Sequence, residues 1–205
     1  MAMKNAISNM YKIVFISSIL FFINFPVIAN DSLSIKRNFW PDHIKLQYAG
    51  GIGFLSLGAG YENRRKNLQA DLYYGYVPEA LGGLDIHIIT TKLTWLPVRS
   101  KKWKQFQIRP LTTGLAFSYT PGDQYFLFDP DNYPYSYYKY PTALTISMFV
   151  GGQVQRAVGK HSKAIGLYYE LGTNERALSN FVLNNRTISI TDVFHLGLGA
   201  RLQLK

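Results

Sequence analysis

A chain of 205 residues with 22 Lys and Arg against 12 Asp and Glu carries a formal charge of +10, and it holds no cysteine. The missing cysteines exclude a disulfide framework, a thiol nucleophile, a thiolate metal site and a lipid-attachment thiol. Apolar residues make up 47% of the chain, yet past the N-terminus no stretch stays apolar over the roughly 20 residues that a membrane helix needs.

Residues 1–29 read as a cleaved export signal. Lys4 and Lys12 give a basic start, IVFISSILFF supplies a short apolar stretch, and Asn24 and Pro26 break it. Val27-Ile28-Ala29 fits a small-residue cleavage pattern, with the cut expected after Ala29. Residues 30–42 read as an irregular lead-in, on the periplasmic side if the rest is a membrane barrel, and 43–205 as that barrel.

From residue 43 onward the chain alternates with period two, the signature of strands with two unlike faces. The runs are 43–49, 52–62, 67–77, 84–96, 105–119, 142–155, 164–173 and 189–204, separated by turn-forming segments. One face is largely apolar, with Thr91 as its weak point: Leu46, Leu57, Leu72, Leu93, Leu115, Ile146, Leu167 and Leu198 are typical. The other is small and polar, with Ser56, Gly58, Gly60, Gly114, Ser147, Gly166, Gly197 and Gly199. An all-β fold follows, with no run of helical periodicity.

Alternation alone does not say which face points out. A water-soluble, lipocalin-like barrel buries its apolar side, and a membrane barrel exposes it. A water-facing surface is densely charged, whereas here the polar face carries about one charge per run. The expected fold is therefore a closed up-and-down antiparallel transmembrane β-barrel of eight strands with its apolar face in lipid. Eight strands leave an interior that side chains fill, so no open pore is expected. The segments NRRKN, PVRSKKWK and AVGKHSK become short basic turns at the end that holds both termini. The longer segments 120–141 and 174–188 fall at the other end, the asymmetry usual for such barrels.

The polar face places Lys45, Asp71, Lys92, Glu170, His195 and Arg201 in the lumen, with Glu62 among them. A buried charge is tolerated only when paired, so an ion-pair plug is expected. Asp71 would lie one diagonal step from Lys92, and Glu170 beside Arg201. Tyr125–Pro141 is the most unusual segment: Tyr125, Phe126, Phe128, Tyr133, Tyr135, Tyr137, Tyr138 and Tyr140 suit either a loop folded over the mouth or a recognition surface. No metal-ligand spacing, nucleotide loop or hydrolase elbow is present, and no cofactor is expected.

The alternation over residues 43–205, the glycine-lined face and the turn asymmetry resemble the small eight-stranded outer-membrane barrel proteins of Gram-negative bacteria. The chain departs from that class at its end, where Leu202-Gln203-Leu204-Lys205 lacks a closing aromatic residue. The resemblance implies an outer-membrane location, contact with membrane lipids and lipopolysaccharide, and a role ranging from anchor to adhesion or resistance factor to lipid A-modifying enzyme. Deacylases of this shape carry a His-x-Ser pair; here the string is His195-Leu196-Gly197, without the serine. The expectation is a monomeric, non-enzymatic structural or binding protein that acts through segments 120–141 and 174–188. An extracellular ligand or protein would be its partner, and nucleic acid would not. The rival readings are a lipid A deacylase and a soluble ligand carrier.

Overall fold

The computed structural model describes residues 40–127, 141–158, 163–184 and 187–204. The expected signal segment 1–29 and most of the lead-in 30–42 lie outside them. Among the described residues nine antiparallel strands form: β1 His43–Ala49, β2 Leu55–Glu62, β3 Leu68–Val77, β4 Ile86–Trp95, β5 Lys101–Trp103, β6 Phe106–Tyr119, β7 Leu144–Ala157, β8 Ala164–Asn174 and β9 His195–Gln203. Eight of them close a barrel in the order β1-β2-β3-β4-β6-β7-β8-β9, with β9 pairing back to β1. Short β5 pairs only with β6 and extends that hairpin beyond the barrel wall.

His43 sits opposite Gln203, so the barrel begins and ends at one mouth, called near; the opposite mouth is called far. Alternation sends the leucines outward. Leu57, Leu72, Leu167 and Leu196 are each more than half exposed, while Lys45, Asp71, Lys92 and Arg201 are buried inside. Aromatic residues rim the outer wall, with Tyr48, Phe54 and Tyr74 toward the far mouth and Tyr61, Trp95 and Trp103 toward the near one.

The glycines of the inward face make room in a narrow interior. Tyr73 lies opposite Gly58, and a Cβ at Gly58 would come within 2.5 Å of the Tyr73 ring. Tyr168 lies over Gly199 in the same way, at 2.2 Å. The two hydroxyls meet across the lumen at 3.3 Å. Large residues facing small ones is how a tapering barrel fills its interior.

Four features depart from the sequence reading. The run at 52–62 pairs only from Leu55, because Gly50, Gly51 and Gly53 take positive φ and fold the connection inward. The turn at 97–104 contains β5, and a tight bend at Lys104 (φ 54°) reverses the chain into β6. Segment 174–188 contains a nine-residue helix, Glu175–Leu183, capped by Asn174, whose side chain accepts the Ala177 N–H at 2.9 Å. The last strand starts at His195, because Ile190–Val193 forms a 3₁₀ turn.

Candidate functional site: the charged lumen and the two mouths

Five strands contribute the central layer. The Lys92 ammonium on β4 pairs with the Glu170 carboxylate on β8 and donates to Gln47 Oε1 on β1 at 3.0 Å. Tyr168 Oη donates to the same Gln47 oxygen at 3.2 Å. Lys92 Nζ also lies 4.6 Å from the Phe149 ring centre and 5.2 Å from that of Tyr73, within cation–π range. With the Tyr168 ring centre at 5.9 Å, this cation therefore has an anion, an amide oxygen and three ring faces as substitutes for water.

Toward the near mouth, Asp71 is held on both oxygens. His43 Nε2 bonds Oδ1 at 2.5 Å and Lys45 Nζ bonds Oδ2 at 2.8 Å. Arg201 Nη2 reaches His43 Nδ1 at 3.1 Å. A guanidinium only donates, so Nδ1 accepts and the imidazole proton sits on Nε2, aimed at Asp71. Arg201 also donates to Gln203 Oε1 at 2.6 Å and lies 3.7 Å from Glu62. Arg109 Nη1 donates to Glu62 Oε1 at 2.9 Å. Four cations and three carboxylates thus interlock, with His43 and the glutamines Gln47 and Gln69 filling the gaps.

The structure brings Lys45, Asp71, Lys92, Glu170 and Arg201 into one lumen but pairs them differently from the expectation. Asp71 stands directly opposite Lys92 in register, because Val77 faces Ile86 and not Leu84. Its carboxylate nevertheless goes to Lys45 and His43. Lys92 reaches across to Glu170, and Arg201 turns to Glu62 instead of Glu170. His195 faces inward beside Gly172, at the far end of the lumen. It shares a small recess there with Ser147, whose hydroxyl has no hydrogen-bond partner, so no serine–histidine bond is made.

Alternation alone could have added His43, Gln47, Gln69 and Tyr73 to the lumen, since they share parity with Lys45 or Asp71. Arg109 is different. Counting back from Leu111 puts it on the outer face, but the β6–β7 register shifts between Arg109 and Thr112 and turns it inward. Pro110, which has no N–H to give a ladder, is the one sequence signal for that bulge.

The far mouth is stoppered. The inward fold of residues 50–53 drives Ile52 into the barrel, where it is 2% exposed. Ser56 Oγ donates to its carbonyl at 3.0 Å. A Cβ on Gly75 would fall 1.9 Å from that oxygen, so the loop seats where only a glycine leaves space. On the rim, Tyr76 Oη and the Glu79 N–H donate to Asp85 Oδ1 at 2.6 and 3.0 Å. The Tyr76 bond, then that of Glu79, hold the Asp85 carboxyl below its ordinary range. His87 bonds Tyr74 at 2.6 Å through Nδ1.

The tyrosine-rich segment is tied at its base. Arg176 Nη2, from the helix, donates to the carbonyls of Pro141, Thr142 and Leu144 at 2.5, 3.1 and 2.7 Å. Tyr125 and Phe126 are half-buried there. The expected recognition residues Phe128, Tyr133, Tyr135, Tyr137, Tyr138 and Tyr140 lie outside the described residues. Beside the base, the helix and the outer wall enclose a groove of about 400 Å³ lined by Ile146, Met148, Leu178, Val182 and Leu183.

The near mouth is open and forms a vestibule of about 1160 Å³. Among the described residues no cluster of His, Cys, Asp and Glu is arranged to hold a metal ion, and no helix is long and apolar enough to cross a membrane. No protein-family model matches this sequence, and no curated protein matches it.

Proposed function

We propose that this protein is an outer-membrane barrel of a Gram-negative bacterium, with lipid against its leucine wall, and that its role is structural or binding, exercised at the far mouth. The observation that carries this reading is the direction of the two faces. A wall of exposed Leu, Ile and Val surrounds a lumen of paired charges. A soluble carrier needs an apolar interior and a charged exterior, the reverse arrangement. Closure supports the same reading, because a sheet in hydrocarbon must leave no unpaired edge. So do strands of seven to fourteen residues, which bracket the roughly 9–11 that a tilted membrane strand needs.

Binding at the far mouth would use segments 120–141 and 174–188. Lipopolysaccharide is the partner favoured by the apolar groove beside the helix, which continues the leucine wall through Ile146 and Met148. The test is cell fractionation followed by gel migration with and without boiling. The proposed barrel stays with the outer-membrane fraction and migrates differently when unboiled. Recovery in buffer without detergent would contradict the reading.

A further inference from the structure

The vestibule at the near mouth has a charge pattern that the lumen does not share. Inside the barrel every cation has a carboxylate partner. Around the vestibule the cations greatly outnumber the acids. Arg65 and Lys66 come from the β2–β3 turn, Arg99, Lys102 and Lys104 from the β4–β6 connection, and Lys163 from the β7–β8 connection. All six are exposed, and none forms an ion pair among the described residues. Arg109 forms part of the floor. Among the described residues that line it the only carboxylate is Glu62, already bonded to Arg109 at 2.9 Å and 3.7 Å from Arg201.

Like charges crowded on a concave surface repel one another, and a low-dielectric wall focuses their field into the cavity. Glutamines lie among them: Gln105, Gln107 and Gln155 line the same space and offer amide donors. We infer that the near-mouth vestibule is a binding site for a soluble polyvalent oxyanion, of the oligophosphate or polycarboxylate kind. The cations arise from three separate turns around one opening, so an anion must carry several charges to engage them together. Arginine forks and lysine ammonium groups suit such oxygens. These residues line the cavity and not the leucine wall, which favours an anion from solution over a lipid headgroup. The vestibule follows from the barrel fold alone; only its assignment to the periplasmic side rests on the membrane reading.

The test is calorimetric titration of the purified full chain in detergent at low ionic strength. Sodium tripolyphosphate is the probe, with orthophosphate and anionic phospholipid vesicles as separate arms. Tripolyphosphate is expected to bind one to one and about tenfold tighter than orthophosphate, since each added contact to a charged oxygen strengthens the complex. The triple variant R65Q/R99Q/K102Q should weaken it about tenfold or more, and R99Q/K102Q alone by a smaller factor. R64Q, on the same turn but not lining the cavity, should change it less than about twofold. The inference is overturned by no heat with tripolyphosphate, by equal affinity for orthophosphate, by a loss in R64Q matching the triple variant, or by binding to vesicles alone. Extraction of the chain into buffer would sink the membrane reading and leave this result standing.

Discussion

The two mouths of the barrel are built on opposite principles. At the far mouth a glycine-rich connection turns inward and seats Ile52 over the lumen. At the near mouth the connections stand away from the barrel and leave a cavity of about 1160 Å³ ringed with cations. The difference comes from local sequence. Gly50, Gly51 and Gly53 permit the positive φ that folds the first loop in, whereas the β5–β6 hairpin carries the chain outward, with lysines at Lys101, Lys102 and Lys104. Between the mouths, paired charges fill the lumen, so an anion entering the vestibule would meet a closed floor and not a channel.

The largest effect is expected from damage to the partition between the mouths. Asp71→Ala leaves Lys45 buried without its carboxylate, and breaking a buried pair costs about 3–5 kcal/mol. A large fall in urea or thermal stability in detergent is expected; an unchanged midpoint would mean the plug bears no weight. Replacing both members of the Lys92–Glu170 pair, as Lys92→Met with Glu170→Leu, should recover much of what either single change loses. Ile52→Ala makes the ends more alike. Truncating a buried isoleucine should cost about 2 kcal/mol, and amide exchange should rise around the far recess and not at the near mouth. Gly58→Ala tests how full the partition is. Its Cβ meets the Tyr73 ring, and overpacking of this kind costs about 1–3 kcal/mol, measurable as a lowered unfolding midpoint.

The smallest effect concerns the far rim. Asp85 is ionised more readily than a free carboxylate because Tyr76 and then Glu79 donate to it. A depressed pKa means that the stabilisation it brings is full above the unfolded value, near 3.9 for a free Asp, and lost as pH falls through the folded one. The Glu79 amide resonance should therefore titrate below the ordinary aspartate range. A midpoint at or above that value would remove Asp85 from its place in the rim.

Most of the wall was legible in the sequence because period two is forced by the pleat. Strand β1 occupies His43–Ala49, the residues expected from alternation, and leucines such as Leu57, Leu72, Leu167 and Leu198 face outward. What alternation does not carry is the interior pairing. Asp71 faces Lys92 in register, yet it bonds Lys45 and His43, because partners inside a closed barrel are chosen across the lumen as well as along a hairpin. Parity also failed at Arg109, where a bulge inserted one residue. The Glu175–Leu183 helix is not legible in the sequence because nine residues are too few to establish a helical period, although Asn174 supplies its cap. The stopper was hidden for a related reason: Ile52 has the character of a strand residue, and only its flanking glycines signal an inward turn.

The proposed membrane location requires lipid on the leucine side of the wall, with the polar side enclosed. Because the chain has no cysteine, single nitroxide labels can be placed along β9 from Leu196→Cys to Gln203→Cys, in protein reconstituted into bilayers. Collision rates with oxygen, which concentrates in hydrocarbon, should peak at residues 196, 198, 200 and 202 and fall at 197, 199, 201 and 203. The opposite phase, or a higher collision rate with a water-soluble nickel chelate at the even positions, would contradict the account.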